Sequence, residues 1–175
     1  MKFALIICTY MRPKPILQLL QSVKAQTVYP DEIIIVDGSL NQDTVTILNQ
    51  NYFKDLHYHV VTSENRGLTK QRNFGVGKVN DAIEVICFLD DDTVLETTYF
   101  EQILKTYSDY PQALGVGGYI CNETKFKFVG YDYQPTNKEF YFDGWKQNDG
   151  SRFVLRKKLG LDNRGHSQSL EADRV

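Results

Sequence analysis

Long apolar runs are missing from this chain. No stretch approaches the roughly 20 residues that a membrane-spanning helix requires. The amino-terminal run ends at Thr9, short of the roughly 7–15 apolar residues of a secretory signal, and Met11-Arg12-Pro13 follows it. The chain is therefore expected to be cytoplasmic, with no membrane span. Cysteine is scarce too: Cys8, Cys87 and Cys121 lie far apart, with no CxxC pair and no histidine spacing that reads as a zinc site. They are expected to be small hydrophobes in a reduced core. Charge of one sign is also missing. A formal net charge of −2 gives no bulk electrostatic reason to expect a nucleic-acid partner, so a polyanionic ligand needs local help from a metal ion or a few arginines.

What is present suits a single domain. The chain has 175 residues, 42% hydrophobic and 24% charged, enough to bury a real core. Neither a repeat nor a low-complexity tract divides it. Over the first 120 or so residues, short β-branched runs alternate with helical patterns, which predicts βαβ units around a mostly parallel sheet. Strands are predicted at 3–9, 32–36, 57–61, 84–89 and 114–120. The intervening helices carry Ile16, Leu17, Leu20 and Val23 on one face, then Val45 and Leu48, then span 68–79 and 96–110. Beyond Cys121 the sequence turns aromatic, as at Lys125–Val129 and Glu139–Phe142, predicting an antiparallel hairpin or meander near the C-terminus; from Gly160 it is polar and without period.

Ligands of open α/β sheets bind at the carboxyl ends of the parallel strands. Thr9, Asp37 and Asp90-Asp91-Asp92 each follow a predicted strand directly and so converge on one edge. Three adjacent carboxylates repel one another unless solvent or a cation relieves them. An oxygen-rich set of this kind suits Mg²⁺ or Mn²⁺, shared between one or two carboxylates and substrate phosphates. The alternative is an acidic turn capping the next helix. His57 and His59 read as sheet-surface residues and His166 as incidental; Trp145 and the tyrosines of 131–141 are core or a stacking surface for a ligand.

Ala4–Tyr10 with Arg12-Pro13, Ser22–Thr27, Pro30–Ser39, Asn65–Leu68, Gln71–Asn73 and Phe88–Asp92 occur in an order that resembles the family-two glycosyltransferases of GT-A fold. The resemblance implies a Rossmann-like GT-A sandwich, with residues 1–120 as the nucleotide-sugar-binding half and 121–175 as the start of an acceptor-side region. It implies that Thr9 and Tyr10 line the nucleoside pocket, that Asp37 reaches base or ribose, and that Arg72 organises the acidic site. Asp90 and Asp92 would form the DxD pattern holding Mn²⁺ or Mg²⁺, with Asp91 nearer the ribose. The donor is expected to be UDP-linked, the acceptor a glycan or lipid-linked glycan, and transfer to proceed with inversion. Where the family often has a second acidic residue after Asp37, this chain has Gly38.

The family's Gly-rich acceptor segment and its Glu-Asp general base have no counterpart here. Ser169–Val175 resembles the run-in to that segment, so the chain is expected to stop before the base, leaving Glu171 and Asp173 as nominal candidates. A sugar nucleotidyltransferase would need a Gly-rich basic loop after the first strand, and Thr9–Pro13 has no glycine. A non-catalytic nucleotide-binding module is the other alternative.

Overall fold

A computed structural model of the chain describes residues 1–118 and 153–156. Four parallel strands form its centre, β1 (Phe3–Thr9), β2 (Glu32–Asp37), β3 (Leu56–Val60) and β4 (Val85–Asp90). The helices between them are α1 (Pro13–Lys24), α2 (Asp43–Asn49) and α3 (Leu68–Val76), and α4 (Tyr99–Asp109) follows β4. Two short strands complete the sheet, β5 (Gly115–Gly117) and β6 (Phe153–Arg156), in the order β3-β2-β1-β4-β6-β5.

Between their ends, β1, β2 and β4 are apolar at every position because both faces are covered. Phe3, Leu5 and Ile7 of β1, with Ile33 and Ile35 of β2 and Val85, Cys87 and Leu89 of β4, pack in one cluster with α1 and α4. Ala4, Ile6, Ile34, Val36, Ile86 and Phe88 form the other, into which Phe74 and Val76 of α3 pack. In α1, Ile16, Leu19, Leu20 and Val23 are fully buried, the i, i+3, i+4, i+7 stripe of a helix lying on a sheet. Leu19 therefore takes the place expected for Leu17, which is only half-buried.

Helix α3 lies so close to the sheet that a side chain at Gly75 has no room. A Cβ there would stand 2.7 Å from Ile6 Cγ2 and 3.2 Å from Val36 Cγ2. Gly75→Val is expected to destabilise the fold by about 2–3 kcal/mol, in the range of overpacked cores, read as a lower urea midpoint at unchanged m-value. An unchanged midpoint would show that α3 can lift off the sheet without cost.

Two features differ from the sequence expectation. The helix predicted over 68–79 ends at Val76, with Gly77 as its C-cap, while Val79 is buried beyond it. The strand predicted at 114–120 is β5, Gly115–Gly117, and it does not lie beside β4: β6 pairs antiparallel to β4, and β5 pairs antiparallel to β6. Gly-Val-Gly offers a single side chain to a neighbour, so β5 suits an edge. The aromatic segments at 125–129 and 139–142, Cys121, Trp145, His166, Glu171 and Asp173 lie outside the described residues.

Candidate functional site

The register of the sheet explains why the acidic cluster faces two ways. Thr9 stands beside Asp37, and Cys8 beside Asp90, so the ends of β1, β2 and β4 form one edge. Side chains alternate across a strand. Leu89 faces α1, so Asp90 turns to α3, where Arg72 Nη2 meets its Oδ1 at 3.1 Å. The Arg72 guanidinium also lies 5.8 Å from the Phe88 ring centre. Asp91 turns back: Thr9 Oγ1 donates to its Oδ2 at 2.7 Å, and Arg12 Nη1 donates to its Oδ1 at 2.8 Å. The other arm of the same guanidinium, Nη2, reaches Asp92 Oδ2 at 3.1 Å.

These partners settle the alternative of a capping turn. Helix α4 begins only at Tyr99, and its N-cap is Thr98, so none of the three aspartates caps it. The carboxylates are held by arginines instead. Burial pushes the Asp91 carboxyl above its ordinary pKa, and neighbouring Asp92 and Asp90 push the same way, against the Thr9 hydroxyl and Arg12, which favour the charged form. The Arg12 guanidinium is driven further toward its charged form, first by its bond to Asp92 and then by Asp91.

A cleft of about 410 Å³ opens beside this edge, lined by Thr9, Tyr10, Arg12, Arg66, Gln71 and Asp91 among others. Tyr10 is 45% exposed, and the Arg66 guanidinium lies 6.0 Å from its ring centre. Arg66 Nε donates to the Gly38 carbonyl at 2.7 Å. Cys8 also lines the cleft, but burial raises its thiol pKa to about 12, which makes it a poor nucleophile.

Gln71 joins the loops together. Its Nε2 donates to Val36 O at 2.8 Å and to Thr9 O at 3.1 Å, and its Oε1 accepts the Gly67 amide at 3.2 Å. Gly67 has φ 118°, a conformation that side chains with a Cβ rarely adopt. At Gly38 a Cβ would meet Arg66 Cγ at 3.2 Å and Gln71 Oε1 at 3.3 Å, which is a physical reason for glycine where the family often carries a second acid.

Of the residues expected from the sequence, Thr9, Tyr10 and Asp91 line the cleft. Asp92, half-exposed, stands beside it through Arg12, and Arg72 and Asp90 form a pair on the α3 side. Asp37 is placed differently. It is 1% exposed, and its oxygens accept the Ser39 amide at 2.7 Å and the Tyr58 hydroxyl at 2.6 Å. Burial and the adjacent Asp37 carboxylate raise the Tyr58 pKa, so the phenol keeps its proton and stays a donor. Arg12, Ser39, Tyr58, Arg66 and Gln71 received no role from the sequence. Arg12, Ser39, Arg66 and Gln71 fall within quoted motif segments, but only the folded geometry shows what they touch.

The profile of glycosyl transferase family 2 matches residues 4–162. The chain is 34% identical, over 98% of its length, to the glucosyl-dolichyl phosphate glucuronosyltransferase of Haloferax volcanii. It spans about half the length of the curated relatives it matches. Among solved structures, residues 1–349 of S. aureus TarS superpose at a TM-score of 0.70 with 20% identity, covering 91% of this chain and 48% of that one. The same region of TarS in complex with UDP-GlcNAc gives 0.59 at 22% identity, covering 71% and 37%. The mannosyltransferase PcManGT from Pyrobaculum calidifontis, in complex with GDP-Man and Mn²⁺, gives 0.61 at 16% identity, covering 90% and 45%. These likenesses show a shared fold, and among the described residues no helix is long and apolar enough to cross a membrane. With a parallel α/β sheet, an acidic cluster at its carboxyl edge and a profile match over most of its length, the chain belongs to glycosyl transferase family 2.

Proposed function

We propose that this chain supplies the donor site of a glycosyltransferase that moves a sugar from a nucleoside diphosphate, UDP first among them, to a glycan or lipid-linked acceptor. One observation carries the reading: Thr9, Arg12, Asp91 and Asp92 meet beside an open cleft at the carboxyl edge. Residues 1–120 are the donor half, and 121–175 begin the acceptor side. Tyr10 offers an exposed ring for the base. Asp91, buried and fixed by two donors, is the carboxylate we assign to the ribose. Asp37 shapes the β2 exit through Ser39, and contact with base or ribose requires it to release one of its present partners.

The donor set fits a divalent cation. Asp92 is 50% exposed with one oxygen on Arg12, and Asp90 is 37% exposed with one oxygen on Arg72. That suits Mn²⁺ or Mg²⁺ held by one or two carboxylates, Asp92 with Asp90, while phosphates and water complete the shell. When bound, the ion neutralises charge that develops on the diphosphate as the sugar leaves. In an inverting transfer the acceptor oxygen bonds to the anomeric carbon as the carbon–oxygen bond to the diphosphate breaks, and a base takes the hydroxyl proton. Glu171 and Asp173 remain candidates for that base.

Calorimetric titration with UDP, GDP, CDP and ADP, each with Mn²⁺ and with EDTA, tests the reading. UDP is expected to bind tightest, and only in the presence of the ion at micromolar concentration. Absence of metal-dependent binding for all four would end it.

A further inference from the structure

The turn between β1 and α1 holds a cation against the acidic cluster by an uncommon backbone conformation. Met11 has φ 57°, in the left-handed region that residues with a Cβ seldom occupy. Its amide donates to Ser39 Oγ at 2.7 Å. Ser39 is fixed through its own amide on Asp37, whose other oxygen takes the Tyr58 hydroxyl. A chain of hydrogen bonds thus runs from the outer strand β3 through β2 to the turn. The product of this arrangement is the position of the next side chain, Arg12, whose two nitrogens bridge Asp91 and Asp92 at 2.8 and 3.1 Å.

The Arg12 side chain is 46% exposed, while those of Asp91 and Asp92 are 7% and 50% exposed. It lies where two aspartates would otherwise repel, on the carboxylate assigned above to the metal ion. A guanidinium and a divalent ion compete for the same Asp92 oxygens. The guanidinium fork suits phosphate oxygens as well as carboxylates, and Arg12 lines the cleft that a diphosphate would enter.

We propose that Arg12 is a resident counter-cation of the acidic cluster, displaced from Asp92 by the divalent ion and taken up by the donor's diphosphate, so that it couples metal binding to nucleotide binding. The inference rests on the donor-site reading above. In the empty site the ion must break the Arg12–Asp92 contact without replacement. With a diphosphate present, the freed guanidinium gains new anionic partners, and the ion binds more readily. Linkage makes the effect reciprocal: the ion must raise nucleotide affinity by the same factor. A site loaded with metal but lacking donor is thereby disfavoured.

Mn²⁺ binding followed by the electron paramagnetic resonance of the free aqua ion, with and without UDP, tests this in the wild-type chain and in Arg12→Gln. Loss of exposed ion pairs is modest in size, so Arg12→Gln is expected to bind Mn²⁺ alone about three- to tenfold more tightly. It should bind UDP in EDTA more weakly by a similar factor, and the gain in Mn²⁺ affinity produced by UDP should shrink. These changes have opposite signs, which a packing defect would not produce. Arg12→Lys keeps the charge without the fork and should fall between; it decides the matter if thermal melts show Arg12→Gln unfolded. Unchanged or weaker Mn²⁺ binding by the variants, or an undiminished gain from UDP, overturns the proposal. If the wild type binds Mn²⁺ but no nucleoside diphosphate, the donor-site reading fails and the coupling falls with it. The Mn²⁺-alone comparison still reports whether Arg12 guards Asp92.

Discussion

Asp92→Asn is expected to weaken UDP binding in Mn²⁺ by about 1–3 kcal/mol, roughly 5- to 150-fold, and to leave binding in EDTA almost unchanged. Asparagine keeps the shape of the side chain and a carbonyl oxygen that Arg12 Nη2 can still meet, so the turn after β4 should hold. What disappears is the negative charge on a half-exposed carboxylate, the feature that distinguishes an ion ligand from a hydrogen-bond acceptor. A hard divalent ion discriminates strongly between the two, because an amide oxygen carries only a dipole. Asp91→Asn is the contrasting variant: Asp91 is buried beneath Thr9 and Arg12, so its loss should weaken UDP binding in EDTA as well as in Mn²⁺. Equal losses with and without metal for Asp92→Asn would mean that Asp92 acts only through Arg12.

Gln71→Leu is expected to lower stability by about 2–4 kcal/mol and to weaken nucleotide binding as a consequence. Gln71 is 4% exposed and uses both ends of its amide, donating to Thr9 and Val36 and accepting from Gly67. Leucine fills a comparable volume, so the effect isolates the polar contacts. The buried Val36 and Thr9 carbonyls each lose a donor, while Thr9 O keeps the Gly38 amide at 3.0 Å. A buried group left unpaired costs more than the net value of the bond it lost. For a chain of this size the melting temperature should fall by roughly 4–16 °C. Gln71→Glu retains the acceptor and loses the donor, so it should be at least as damaging. A midpoint shift below about 0.5 kcal/mol, the range of ordinary surface substitutions, would show that the strand ends are held without this clamp.

Much of this molecule is legible along the chain. The apolar runs of β1, β2 and β4 bury both faces, and their short length and β-branched residues favour strands over buried helices. Once they are parallel, βαβ connection places Thr9, Asp37 and Asp90 on one edge by geometry alone. The family motifs fall on those same strand ends, which is why the fold and the edge where the acidic residues gather could both be read before any coordinates.

What the chain leaves open are contacts between residues far apart in sequence. Arg12 and Asp91 are separated by 79 positions and Tyr58 and Asp37 by 21, and no periodicity encodes which donor meets which carboxylate. The insertion of β6 between β4 and β5 has the same cause, since an antiparallel strand can arrive from any later segment able to pair with an open edge. Local propensity and the short apolar runs therefore determined the sheet, its helices and the edge where the carboxylates gather. Only the tertiary structure decided that Asp37 turns inward and that Arg12 holds two aspartates, because hydrogen-bond pairing depends on distances of a few ångströms that packing alone establishes.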